Sequence, residues 1–562
     1  MIKSRLIPII DLFAGPGGLG EGFSSYFPNN RTSHPFNIKA SVEMDIHAHR
    51  TLELRSFFRE FPEGKAPTQY YSYIKGKISR EQLFRKYPIQ AKRAADRAIR
   101  ATLGKPEDDM IIYERLEKIL TENGNKPWVL IGGPPCQAYS TIGRARQQAY
   151  SVGKEKYQKD ARNFLYKEYL GIIAKFRPTV FVMENVAGIL SAKIKDENIF
   201  NRIITDLKKP IEAVGVKANG WKTSTESLEY KIYPLAVEVE DGSQADPSDY
   251  LIKCENHGIP QARHRVILLG IRSDVQVKPT TLHKREDRIS AGKVLADLPE
   301  LRSGFSKLSI DAKGWYAFVR AIIRQSWFME CKKIKLSSEN KNNIELSSVM
   351  RKLLKRIKNN LNTGGDFVPG KSKPEYRSDW FSDPKLGGFL NHSSRGHMRE
   401  DLYRYFFAAT CASITGKSPL LGNFPIQLLP NHKNARIGKG TQIMFDDRFR
   451  VVLKNEPAKT VTCHMSKDGH YSIHYDPLQC RSLTVREAAR IQTFPDNYYF
   501  EGPRTEKYRQ VGNAVPPLLA YQIADIVYMV IQEYSKILDI ETNVKSISKD
   551  ISKEQNYIYT SV

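Results

Sequence analysis

The sequence predicts an α/β protein, a doubly wound and mostly parallel sheet, with a second, irregular α+β domain set into the chain. Three observations predict it. Short apolar runs ending near glycine or an acidic residue recur at Leu6–Phe13, Lys39–Val42, Trp128–Ile131 and Thr179–Met183. Helix-like segments such as Ile111–Leu120 and Asn163–Phe176 lie between them. From about Lys278 to Pro457 that alternation stops, and it resumes afterwards.

Composition narrows the function. The chain has 562 residues, 41% of them hydrophobic, enough for more than one core. A formal net charge of +26 points to a polyanionic partner, most simply nucleic acid, and argues against an acidic binding surface. The six cysteines have no regular spacing, which fits a reducing compartment and not a disulfide scaffold. No uninterrupted apolar run is long enough to span a bilayer. The apolar stretch near the N-terminus is broken by Asp11, and no small-residue cleavage site follows it. A cytoplasmic protein without a membrane partner is expected.

The first strand, Leu6–Phe13, runs into the turn Ala14–Gly20. Gly15, Gly17 and Gly20 match G-x-G-x-x-G, and Glu43 follows at the end of the second strand, where a carboxylate can grip ribose hydroxyls. The pattern fits a dinucleotide or S-adenosylmethionine. The order D-x-F-A-G-x-G-G, with Asp11, Phe13, Gly15, Gly17 and Gly18, favours the second: Phe13 can pack on an adenine face, and no phosphate needs a cradle. A glycine turn used only for helix–strand packing is the plainer alternative. A basic insert covers about residues 55–105, with a helix expected from Ala91 to Leu103 carrying Lys92, Arg93, Arg97 and Arg100. It suits a phosphate backbone and equally a solvated helix face. Asp108 and Asp109 follow. Asp109 offers an acceptor for an adenine amino group, although acidic pairs also cap helices.

The strand Trp128–Ile131 leads into Gly132-Gly133-Pro134-Pro135-Cys136-Gln137. Two glycines allow a tight turn there, and two prolines stiffen the approach to a single thiol at the sheet edge. Cys136 is the candidate nucleophile; a small buried cysteine is the alternative. Ala138–Lys159 loses the apolar pattern and reads as a long loop of the kind that forms lids. After Thr179–Met183 comes Glu184-Asn185-Val186, which places a carboxyl in the same crevice as Cys136. Semi-burial there should raise its pKa and make Glu184 a proton donor; a helix-capping role is the other reading. In Gln261-Ala262-Arg263-His264-Arg265, a period of two puts Gln261, Arg263 and Arg265 on one face, suited to an anion or a polar base edge. An exposed surface strand is the bland alternative.

Residues 278–457 mix basic segments, turns and aromatics such as Trp315, Trp327, Tyr376 and Trp380, a combination that suits nucleic acid. Thr460–Tyr475 reads as a hairpin turning at Asp468-Gly469. Cys463, His464, His470, His474 and Cys480 match no zinc spacing, so no metal is expected. Thr484-Val485-Arg486-Glu487 is a capping box opening a helix to Gln492. Val511–Pro517, with Asn513 near a helix start, leads into a long apolar helix to about Tyr534, and a polar, poorly ordered tail is expected at 536–562.

D-x-F-A-G-x-G-G, G-G-P-P-C-Q, E-N-V, Q-A-R-H-R, R-E-A-A-R-I-Q-T-F-P-D and G-N-A-V-P occur in one order. Over about residues 5–275 and 457–535 the chain thereby resembles the DNA cytosine-5 methyltransferase family, particularly the bacterial enzymes that accompany restriction systems. It departs from the family in the basic insert and at the third cofactor motif. The resemblance implies an S-adenosylmethionine-dependent methyltransferase fold. It implies a catalytic domain over 1–277, resumed at 458–535, and a target recognition domain over 278–457. Catalytic residues would be Cys136, Glu184, Arg263 and Arg265, with Arg263 steadying the ring oxygen. Cofactor residues would be Asp11, Phe13, Gly15, Gly17, Gly18, Glu43, Asp109, Pro134 and Asn513. The partner would be double-stranded DNA, flipped at one cytosine, with a separate restriction endonuclease as a possible companion and a monomeric enzyme. An RNA cytosine-5 methyltransferase and a non-catalytic DNA-binding protein are the alternatives; a dinucleotide oxidoreductase leaves the cysteine loop and the charge unexplained.

Overall fold

The computed structural model describes residues 6–29, 33–124, 126–135, 165–194, 197–215, 217–218, 221–222, 229–240, 245–337, 343–431 and 446–559. Cys136 and the lid segment 138–159 lie outside them.

One eight-stranded sheet organises the first half of the chain. Its strands are β1 (Ile7–Leu12), β2 (Phe36–Glu43), β3 (Ala98–Arg100), β4 (Val129–Gly132), β5 (Val180–Val186), β6 (Tyr230–Tyr233), β7 (Leu251–Lys253) and β8 (His264–Arg272). They lie in the order β6-β8-β5-β4-β1-β2-β3, with β7 also on β8. From β3 to β5 all pairs are parallel, and β8 runs antiparallel to β5, β6 and β7. The central strands are buried on both faces, as near-continuous apolar runs require. Ile7, Ile9, Val129 and Ile131 meet α1 (Gly18–Ser25) and the C-terminal helix on one side. Ile10, Leu12 and Leu130 meet α2 (Pro106–Asn123) and α3 (Leu165–Phe176) on the other. Strand order reverses between β1 and β4, where Leu12 faces Gly132. In open α/β sheets the crevice beyond the carboxyl ends at such a point is the binding site.

Several expectations need correction. The helix expected over Ala91–Leu103 is displaced: a helix covers Pro88–Arg97, and Ala98–Arg100 joins the sheet edge, pairing Val42 with Ile99. Edge pairing offers the backbone hydrogen bonds that outweigh helix propensity there. The expected hairpin at 460–475 is instead two short 3-10 turns, Cys463–Ser466 and His470–Ser472, the first of them packed against the helix Arg504–Asn513. Gly469 does turn with positive φ. Within the described residues the tail continues the last helix, which runs from Pro517 to Tyr559. The helical stretch Arg504–Ile540 is long and apolar enough to cross a membrane, yet its most apolar window is 78% buried inside the molecule. It is a core helix lying on α1 and the sheet.

Much of 278–457 packs in an apolar core around the helix Arg399–Thr415, with Trp315, Trp327 and Phe449, that also takes in Ile473 and Cys480, whereas Ala291, Leu295, Phe381 and Phe389 pack with residues of 458–514. Trp315 and Trp327 are buried there, which removes them from any nucleic-acid surface. The basic insert forms its own small core, which also takes in Leu386 and Leu390. Tyr71 donates to Asp383, and Tyr73 donates to Glu501, so the insert bridges the sheet edge to the second half of the chain. Part of its charge is paired within the molecule. Arg93 and Arg97 pair with Glu60, and Arg80 pairs with Glu53 and Glu501.

Candidate active site

The crevice at the switch point is built from the ends of five strands. After β1, Phe13 turns with a left-handed φ of 54°, a conformation uncommon for a non-glycine residue and worth a functional reading. Its loop is held by β2: Gly15 N–H donates to Glu43 at 2.8 Å, and Asp45 N–H donates to the other oxygen of Glu43 at 2.8 Å. Burial raises the Glu43 pKa against these two backbone donors. Each carboxylate oxygen keeps a lone pair for a diol. Asp11 is buried beneath the turn, neither of its oxygens has a hydrogen-bond partner among the described residues, and burial pushes its pKa up to about 8. Gly18 has no room for a side chain, because a Cβ would overlap the Val515 carbonyl of the G-N-A-V-P loop. Asn513, two residues before Val515, is exposed at the end of its helix.

The strand β4 brings Gly132–Pro135 to the same edge. Neither glycine has positive φ, so a left-handed backbone is not what requires them. Close approach explains both. A Cβ on Gly132 would lie 2.6 Å from the Leu12 carbonyl, and one on Gly133 2.9 Å from a carboxylate oxygen of Glu184. Glu184, near the end of β5, thus lies directly against the loop that leads into Cys136. Asn185 steadies that loop by donating to the Pro134 carbonyl at 3.2 Å. E-N-V singled out the stretch, but nothing in the sequence showed which backbone group its amide would meet.

The two arginines of Q-A-R-H-R separate. Arg265 Nε lies 2.7 Å from Glu184 Oε1. Arg263 is 1% exposed and donates to the Val461 and Gly512 carbonyls at 2.8 and 3.1 Å. Burial and the neighbouring Arg265 bring its pKa down to about 9. Gln261 is also buried, donating to Gln492 at 2.8 Å and accepting from Val461 N–H at 2.8 Å. Gln261 and Arg263 therefore tie the sheet to the 458–513 segment, and the arginine beside the acid is Arg265. Asp109 falls in the first turn of α2 and accepts from Gly104 N–H at 2.9 Å; burial raises its pKa. Asp108 likewise accepts from Thr102 N–H, so both act as caps for the turn after β3. Of the Cys463-to-Cys480 residues, Cys463 lies 3.8 Å from its neighbour His464, and the other three have separate surroundings. His470 bonds Tyr405, His474 faces Glu487 and Cys480 donates to Pro477.

An acid beside an arginine lies against a proline-stiffened loop that leads to a cysteine, next to a turn held by Glu43. Residues 112–210 and 246–528 match the C-5 cytosine-specific DNA methylase family. The chain belongs to that family. Its reaction is methylation of cytosine at carbon 5 in DNA, and the family depends on S-adenosylmethionine. Bacterial type II methyltransferases are among its relatives. The chain is 31% identical to the type II methyltransferase M.Bpa9945I of Bacillus paralicheniformis, covering 93% of this chain and 99% of that one. It is 26% identical to the type II methyltransferase M.AgeI of Thalassovita gelatinovora, over 93% and 99%. It is 24% identical to the DNA (cytosine-5-)-methyltransferase M.ApeKI of Aeropyrum pernix, over 71% and 80%.

Proposed function

We propose that this methyltransferase acts on a flipped cytosine through a covalent adduct with Cys136, using Glu184 as acid and Arg265 as its holder. The observation that carries the reading is Glu184, packed on Gly133 three residues before Cys136 and paired with Arg265. Cytosine carbon 5 is a weak nucleophile. The Cys136 sulfur bonds carbon 6 while Glu184 gives a proton to ring nitrogen 3, so the ring electrons collect as an enamine at carbon 5. Bound S-adenosylmethionine supplies an electrophilic methyl group. Loss of the carbon-5 proton then expels the thiolate and restores the ring. Arg265 orients the Glu184 carboxyl and takes the ring-oxygen contact that the resemblance gave to Arg263.

The crevice fits the cofactor. Glu43 presents free lone pairs for ribose hydroxyls, Asp11 offers an unpartnered carboxyl, and open space borders Gly15. Phe13, Gly17, Gly18, Pro134 and Asn513 would line it. Asp109, engaged by Gly104, is a poorer candidate for the adenine contact. Flipping a base costs a few kcal/mol. Residues 278–457 would meet that cost by closing on a specific duplex sequence, and the methyl mark would protect that sequence from a companion endonuclease. Duplex DNA carrying 5-fluorocytosine tests the reading: a covalent complex should form with the wild type and disappear in Cys136→Ser. A Cys136→Ser enzyme that still transfers tritiated methyl to DNA would overturn it.

A further inference from the structure

The glycine turn after β1 is pinned by a residue far away in sequence. Tyr498, just past R-E-A-A-R-I-Q-T-F-P-D, is fully buried, and its hydroxyl donates to the Pro16 carbonyl inside the turn. The same oxygen would lie 3.0 Å from a Cβ on Gly17, whose φ is 92°. Tyr498 is itself held on every side. Its ring packs on Phe494 and Phe500 at 4.8 and 5.3 Å between centroids, and the Arg55 guanidinium sits 4.9 Å over it. Arg486 donates to its backbone carbonyl at 2.7 Å and to that of Leu390 at 2.8 Å. Arg55 in turn pairs with Glu21 of α1, the helix that the turn opens. A continuous line of contacts therefore runs from Leu390, in the second half of the fold, through Arg486 and Tyr498 to Pro16 and Gly17.

We propose that Tyr498 is a positioning residue that sets the shape of the cofactor turn from the second half of the molecule. The hydroxyl fixes the peptide between Pro16 and Gly17. That orientation in turn fixes where Gly15 N–H meets Glu43, and hence where the Glu43 lone pairs point. The idea rests on the reading that residues 13–18 and Glu43 hold S-adenosylmethionine.

The test compares three variants of the full chain. Titration with S-adenosylhomocysteine in a calorimeter reads affinity, and steady-state assays on duplex DNA read KM for S-adenosylmethionine and kcat. Tyr498→Phe keeps the ring and removes the hydroxyl. It should weaken affinity and raise KM about fivefold, the factor of one hydrogen bond, with kcat at saturation within about twofold and little change in Tm. Phe500→Leu loosens the same aromatic cluster without touching the turn, and it should lower Tm while leaving affinity unchanged. Phe13→Ala alters the proposed adenine contact directly and should weaken affinity. Wild-type affinity in Tyr498→Phe, or a loss that merely tracks Tm as in Phe500→Leu, overturns the proposal. If Phe13→Ala is weakened in that experiment, the reading of the turn survives alone. If Phe13→Ala also binds normally, that reading falls as well.

Discussion

Arg263 and Arg265 stand two residues apart and do different work. Alternation along an extended segment put them on one face, and that inference failed because the segment changes ladders between them. Gln261–Ala262 pairs with Ala458–Lys459, while His264–Arg272 belongs to the main sheet. Arg263 sits at the break and turns into the interior. Opposite outcomes follow for the two. Arg265→Ala should lower kcat by about 100-fold or more, with little effect on Tm, as expected when the holder of a general acid is lost. Arg263→Ala should leave the Val461 and Gly512 carbonyls unpaired and cost about 1–3 kcal/mol in denaturant unfolding. Gly133→Ala is a third test. Its Cβ would press on Glu184, so activity should fall while the backbone, which has ordinary φ, tolerates the change. The residue types of the site were legible in G-G-P-P-C-Q and E-N-V. The reason for the glycines was not, because close approach depends on Leu12 and Glu184 from other strands.

The short helix Val485–Ile491 shows what a local signal reveals and what it hides. Its capping box forms as the sequence predicts, with Thr484 accepting from Glu487 N–H at 3.2 Å and Glu487 accepting from Thr484 N–H at 2.7 Å. Both bonds lie within four residues, so local chemistry suffices. The helix also has buried arginines whose partners lie outside it. Arg490 binds Asp496 at 2.7 and 2.8 Å and Asp297 at 2.8 Å. Nearby Arg481 makes a two-pronged pair with Glu487 at 2.7 and 2.6 Å. Guanidiniums are rarely buried without such partners. Arg481→Met should therefore destabilise the fold by about 3–5 kcal/mol, because Glu487 is left as an unpaired buried charge. Chemical denaturation monitored by tryptophan fluorescence would measure it. In the basic insert the charge run left two readings open, and the fold shows part of the answer: Arg80, Arg93 and Arg97 pair with Glu53, Glu60 and Glu501.

At the scale of the molecule, buried titratable groups make stability depend on pH. His392 is fully buried between Thr484 and the Pro299 carbonyl, and burial lowers its pKa from 6.5 to about 4, with Glu487 raising it and Arg481 lowering it. The unfolded chain thus takes up a proton near pH 6.5 that the folded protein refuses until about pH 4. Stability should fall as pH drops through that interval, by up to about 1.4 kcal/mol per pH unit for this group. Glu21 acts lower down. Burial raises its pKa, but Arg55 and Arg59 outweigh that and hold it at about 2, so its contribution is present above pH 4.5 and is lost between 4.5 and 2. Tm measured from pH 7 to 3 should decline and then steepen, and His392→Gln should flatten the upper part. The net charge of +26 makes a separate expectation for DNA affinity. The logarithm of the binding constant should fall linearly with that of salt, with a slope of about −0.9 for each phosphate neutralised.

The sequence by itself determined the doubly wound class, four of the strand runs and the order of the motifs that follow them. Strand runs, capping residues and the glycine turn act over a few residues, and their chemistry is written where it is used. Only the tertiary structure decided which arginine meets Glu184, why Gly132 and Gly133 must lack side chains, and that Tyr498 reaches back to Pro16. Those facts depend on groups brought together from different elements of the chain, and no local pattern encodes the distance between them.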